Sequence, residues 1–299
     1  MEDSIKNHTD AVVEKKPKKG DVREIAITAK IAGEVNKTEW AQEVVAKIRE
    51  LQIRYLREIL TKKDDSSFVY LKTQEVLAEI SKLLRAEIVE GAELLAEIPK
   101  GKPVLVMTNH FGLYKLAGID PRKDLGVDIP GYDFMYPSPL YFAGLNPVGE
   151  AVGNDLSYVS NEFPGVFGEI HQASGFIHVP PKTDEGVSRT GLLTEQTGDV
   201  INKNPNIAIV NYPEGGTSGK YNGLGPYDLE PFKTGGYVIA SKLGVHVVPV
   251  AQYFDPEKGL RLRVFRPYIP FITEKETFED QAKKDKDQMQ EWLNEQQNR

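Results

Sequence analysis

Two short stretches of this chain carry residue types that can do chemistry. The first is TNHFGLYK at 108–115, where the apolar run VLVMT at 104–108 ends and delivers Asn109 and His110. An imidazole with an ordinary pKa of about 6.5 is largely neutral at cellular pH, and so can accept a proton as a general base. The second is NYPEGGTSGKY at 211–221, again at the end of an apolar run. Its glycines allow a tight loop whose amides point at an anion. Thr217 and Ser218 add hydroxyl donors, with Gly215 and Gly216 beside them. The loop is not a P-loop, because Glu214 stands where the first glycine belongs and Tyr221 follows Lys220. A third stretch, PFKTGGYVIASKLGVHVVPVA at 231–251, brings Lys233, a glycine-started helix, a glycine C-cap at Gly244 and a buried strand that holds His246.

These residues need a frame. Short apolar runs at 104–108, 175–179, 206–212 and 245–253 read as buried strands, with a helix-compatible segment at 235–243. Strands alternating with helices predict an α/β fold, a mostly parallel central sheet flanked by helices. Such sheets carry chemistry at the carboxyl ends of their strands. Upstream, Trp40, Val44, Ile48, Leu51, Tyr55 and Ile59 recur at helical spacing. After the break at 64–67, which supplies N-cap residues, Leu71, Val76, Ile80, Leu83, Ile88 and Leu94 continue the period to about residue 97. The predicted organisation is a flexible tail over 1–22, a helical hairpin over 23–99 and an α/β domain over 100–299. The hairpin is either structural cover or an apolar face that meets lipid. The stretch 121–170, rich in Pro, Gly, Tyr and Phe, reads as long functional loops.

Composition narrows the classes. A net charge of -7 with dispersed basic residues argues against nucleic-acid binding. The absence of cysteine excludes disulfides, thiolate metal sites and cysteine nucleophiles. No apolar stretch approaches the roughly 20 residues needed to span a bilayer, and the N-terminus lacks a signal-like apolar core. A cytoplasmic protein is expected, with any membrane contact peripheral, at the inner face, through the hairpin or the aromatic loops.

In order and spacing, Asn109 and His110; Gly175, Ile177 and Val179; Tyr212, Pro213, Glu214, Gly215 and Ser218; and Val248, Pro249 and Val250 resemble the four motif blocks of the glycerolipid acyltransferase superfamily. That superfamily includes the lysophosphatidic-acid and glycerol-3-phosphate acyltransferases, and the resemblance covers residues 100–270. It implies transfer of a fatty acyl group from a thioester, on acyl-CoA or acyl carrier protein, to a hydroxyl of a lysophospholipid or glycerol-phosphate-like acceptor in phospholipid biosynthesis. His110 would be the base. The thioester is a co-substrate, and no resident cofactor or metal is expected. Asn109, Lys115, Lys182, Gly215, Gly216, Thr217, Ser218 and Lys233 are the candidate substrate-binding residues.

The chain departs from the family pattern at the residue that orients the base. Lys115 occupies the place of the motif Asp. A lysine cannot accept from imidazole, and its charge opposes imidazolium. Glu214, brought beside the histidine, or Asp120, folded back from ten residues downstream, would then be the orienting carboxylate. The family's phosphate-binding arginines are also out of register, which leaves Lys182, Arg189, Lys220 and Lys233 to supply positive charge. The competing reading is a non-catalytic acyltransferase-like protein that binds lipid or acyl carrier protein.

Overall fold

The computed structural model describes residues 19–128, 139–161, 165–179, 188–221, 225–273 and 276–299. In chain order these form α1 (Lys19–Val35), α2 (Glu39–Thr61), α3 (Ser66–Leu83), β1 (Glu87–Glu90), β2 (Val104–Thr108), α4 (Pro139–Phe142), α5 (Asn146–Val152), β3 (Asp155–Asn161) and α6 (Val166–Ala173). They continue with β4 (Ile177–Val179), α7 (Arg189–Lys203), β5 (Ile207–Asn211), α8 (Gly235–Leu243), β6 (His246–Asp255), β7 (Gly259–Val264) and α9 (Phe278–Gln297). The strands make one seven-stranded sheet in the order β1-β7-β6-β2-β5-β3-β4, in which only β6 and β7 pair antiparallel. The expected mostly parallel α/β sheet is therefore present.

Alternation along the central strands explains why both faces are covered. Val104, Val106, Ala208, Val210, Val248 and Val250 point into the larger core, shared with α2, α3 and α9. Leu105, Met107, Ile207, Ile209 and Val247 point into the second core, under α8. A parallel strand buried on both faces reads as an unbroken apolar run, which is the signal these segments show.

Both helices of the hairpin are capped at their N-termini, α3 from within the predicted break at 64–67. Thr38 accepts from the Ala41 amide at 3.2 Å and Asp65 from the Phe68 amide at 3.0 Å. Tyr55 and Thr73 join the two helices by a buried hydrogen bond of 2.8 Å. α3 ends at Leu83, not near residue 97. Arg85 takes a left-handed φ of 49°, which terminates the helix, and Glu87–Glu90 then pairs with β7. Ladder bonds and the ion pairs Arg261–Glu87 (2.7 Å) and Arg263–Glu90 (3.3 Å) outweigh the helical period of Ile88 and Leu94.

The predicted tail over 1–22 lies mostly outside the described residues, which begin inside it with α1. That helix buries Ile27, Ile31 and Val35. Of the long irregular stretch, the described part contains α4, α5, β3 and the start of α6. Here Gln74 pairs with the first half of β3, which β4 does not reach: its amide donates to the Leu156 carbonyl at 2.9 Å and accepts from the Leu156 amide at 3.1 Å. By contrast α7 is half-sunk: Thr197 is the one fully buried residue of its 15, and Leu193, Val200 and Ile201 pack part-buried against the second core. Among the described residues, no helix is long and apolar enough to cross a membrane.

Asp285 on α9 is buried and accepts from Tyr268 at 2.8 Å and Tyr237 at 3.1 Å. Burial pushes its carboxyl from 3.8 up to about 6 against those two donors. A raised folded value means that the stabilisation is complete below the unfolded pKa and is lost as pH rises through the folded one. Asp285→Asn should therefore flatten the fall in stability between about pH 4 and pH 6, a slope of about 2–3 kcal/mol. Urea unfolding at stepped pH reads it, and an unchanged slope would refute the assignment.

Candidate active site

The central strand β2 stops at Thr108, and two residues later His110 faces an open cleft of about 480 Å³ at the carboxyl ends of the strands. His110 is 8% exposed. Its ring lies against that of Tyr212, centroids 4.3 Å apart. Tyr212 follows β5, the neighbour of β2, so the two motifs meet because their strands pair.

Glu214 is 2% exposed and holds three donors. Its Oε1 accepts from the His110 backbone amide at 2.9 Å and from the Ser218 hydroxyl at 2.7 Å, and its Oε2 accepts from the Glu230 amide at 2.8 Å. The Ser218 amide donates back to the His110 carbonyl at 3.2 Å. Glu214 thus grips His110 by its backbone, not by its imidazole, which corrects the expected orienting role. Burial lifts its carboxyl from 4.5 to about 7, while the three donors pull it down.

Asp120 does not serve the imidazole either. Its carboxylate accepts from the Arg122 and Lys123 amides, both at 3.0 Å, and so caps the short turn at Pro121–Leu125. That turn is anchored on α2, where Arg49 pairs with Asp124 at 2.6 Å and donates to the Gly118 carbonyl at 3.1 Å.

The other candidates divide into two groups. Gly215, Gly216 and Lys233 line the cleft with His110. Asn109, Lys115, Thr217 and Ser218 are buried behind it, and Lys182 lies outside the described residues. α1 backs this second group closely: a Cβ on Gly112 would stand 2.9 Å from Ile31 Cδ1 and 3.1 Å from Thr217 Cγ2. Sequence reasoning missed Tyr158, Thr190 and Asn211, which also line the cleft. Asn211 alone had a signal, as the polar residue that ends an apolar strand.

Two cationic side chains and two helix N-termini meet at the cleft. Arg189 and Lys233 line it, and so do the first residues of α7 (Arg189, Thr190) and of α8 (Gly235, Gly236). α8 has no side-chain cap, whereas α7 is capped by Ser188, which accepts from the Gly191 amide at 3.4 Å. A helix N-terminus carries about half a positive charge and favours anions. Two such ends beside two cations have the charge that suits a phosphate or carboxylate.

Gly215 is the hinge of this arrangement. Its φ is 69°, and a Cβ there would fall 2.1 Å from Lys233 Nζ. Gly215→Ala should displace the ammonium and cost about 1–2 kcal/mol of backbone strain. Isothermal titration with inorganic phosphate should show weaker binding than wild type, and equal affinity would show that Lys233 takes no part.

No family model and no curated protein matches this chain. Among solved structures it is similar to the crystal structure of the 1-acyl-sn-glycerophosphate (LPA) acyltransferase PlsC from Thermotoga maritima. Sequence identity is 15%, with 93% of this chain and 98% of that chain covered, at a TM-score of 0.49.

Proposed function

We propose that this protein transfers a fatty acyl group from a thioester donor to the hydroxyl of an acceptor that bears an anionic group. The observation that carries the reading is a histidine at the carboxyl end of the central strand, lining a cleft whose other walls supply Arg189, Lys233 and two helix N-termini. His110 takes the acceptor's hydroxyl proton as that oxygen attacks the thioester carbonyl carbon. A C–O bond forms, the C–S bond breaks, and the leaving thiolate recovers the proton from the imidazolium. No enzyme nucleophile is needed.

Glu214 acts as a positioning residue in this reading, and ring contact with Tyr212 orients the imidazole. The acceptor's charge is held by Lys233 and Arg189, with Gly215 and Gly216 keeping the loop low enough for approach. The donor is acyl-CoA or acyl carrier protein. Any membrane contact is peripheral. Lys115 in place of the motif Asp favours the second reading, a non-catalytic protein that binds the same lipid-like ligands.

The deciding experiment offers purified protein acyl-CoA and acyl carrier protein donors with paired acceptors, phosphorylated and unphosphorylated. Transfer to the phosphorylated member is expected, and Lys233→Ala should raise its KM about 10-fold, the value of one charge-assisted hydrogen bond. Ligand binding without turnover for any pair would leave the non-catalytic reading standing.

A further inference from the structure

Gln252 stands on β6, two residues beyond Val250, the partner of Thr108 at the end of the β2–β6 ladder. It is 5% exposed and does not line the cleft. Its side-chain amide donates to Thr108 Oγ1 at 3.0 Å and to the Asn109 carbonyl at 3.2 Å. Its backbone is engaged in return: the Gln252 amide donates to Asn109 Oδ1 at 2.7 Å, and its carbonyl accepts from Asn109 Nδ2 at 3.1 Å. The Asn109 side chain thereby supplies the next rung of the ladder after the main chain of β2 has turned away.

All four bonds fix the two residues immediately before His110. The chain then leaves the sheet through a tight turn, the Phe111 amide donating to the Asn109 carbonyl at 3.2 Å. His110 is thus held from both sides, by Glu214 at its own amide and by Gln252 at the residues that precede it. We infer that Gln252 is a positioning residue that sets the direction in which the His110 imidazole enters the cleft. This rests on the reading of His110 as the proton acceptor.

The chemistry requires an amide here. The side-chain nitrogen faces two acceptor oxygens, one of them a carbonyl, so Gln252→Glu puts an acceptor where a donor belongs, and Gln252→Met keeps the length and removes both bonds. Asn154 serves as the control. It is a buried amide that donates to backbone carbonyls at the opposite end of the strands, Lys102 at 2.7 Å and Ile207 at 3.2 Å.

The test compares Gln252→Glu, Gln252→Met and Asn154→Asp by melting temperature, by steady-state kinetics across pH, and by NMR titration of the His110 ring. The five histidines are assigned by single replacement. Both Gln252 variants should lose kcat by about 10–100-fold with KM within about twofold, as expected when a base is displaced without touching the substrate. The limb of their pH profile should move in step with the ring titration. Asn154→Asp should lose comparable stability and change neither. A His110 titration and a kcat in the Gln252 variants that match the Asn154 variant would overturn the inference. If the wild type turns over no donor–acceptor pair, the acyl-transfer reading fails, and the ring titration still decides whether Gln252 positions His110.

Discussion

His110→Ala should lower acyl transfer by about 10²–10⁴-fold, the range that a positioned general base supplies. Among the described residues no second histidine lines the cleft, since His171 and His178 pack against each other beside α6 and β4, 5.8 Å between ring centroids. His171 is also held neutral, its value lowered to about 3 chiefly by burial. The backbone bonds that tie residue 110 to Glu214 and Ser218 do not depend on the imidazole. The alanine variant should consequently melt within a few degrees of wild type. Steady-state transfer measured beside a thermal melt separates the two effects. Activity above a tenth of wild type in a folded variant would remove His110 from the chemistry.

Glu214→Ala has the larger structural effect. It leaves three donors, the His110 amide, the Ser218 hydroxyl and the Glu230 amide, without their shared acceptor in a buried place. Each unsatisfied buried group costs about 1–3 kcal/mol, and water entering the space left behind recovers part of that, so a net loss of about 3 kcal/mol is expected. Transfer should fall with it, because the backbone of His110 loses its grip.

The same carboxylate should mark the pH dependence of stability. Its folded value of about 7 lies above the ordinary 4.5, so its contribution is complete below about pH 4.5 and is lost as pH rises through 7. The variant should therefore show a flatter stability profile than wild type across that window. Denaturant titrations at stepped pH read both numbers, and a variant as stable as wild type with the same slope would contradict the buried carboxylate described here.

The parts of the fold that were legible in the sequence are those where burial is complete. β2 and α8 fall where the apolar run and the glycine caps place them. β5 and β6 extend or shorten by one or two residues, for no reason beyond where the ladder ends. What stayed hidden is where polar residues do structural work. β3 reads as loop because Asp155 and Ser157 interrupt its apolar pattern, yet Asp155 accepts from Tyr70 at 2.7 Å and Ser157 donates to the Gly175 carbonyl at 2.7 Å. α9 is rich in charge and buries one narrow stripe, Gln281, Ala282, Asp285, Met289, Trp292 and Leu293, in which Gln281 and Asp285 are polar. β1 was lost to a helical period that tertiary pairing overrode.

In the site, strand ends located His110 and Glu214. Spacing carries no information on whether a carboxylate meets a ring or a backbone amide, and so it points Glu214 and Asp120 at the imidazole, whereas one grips the main chain and the other caps a turn. Gln252 gave no signal at all, since one polar residue in an apolar strand does not reveal what it faces.

The exposed side of α7 bears on how this protein can change over generations. Substitutions at exposed helix positions usually alter stability by less than about 0.5 kcal/mol, and Arg189, Glu195, Gln196, Asp199, Asn202 and Lys203 of α7 are of that kind. Yet this helix carries Arg189 and Thr190 to the cleft. Selection can therefore retune what the cleft accepts through the exposed positions of α7, Arg189 first among them, with little penalty in folding, while β2, β5 and β6, buried on both faces, keep the histidine where it is. Ligand preference and foldability are written in different parts of the chain, and they can drift independently.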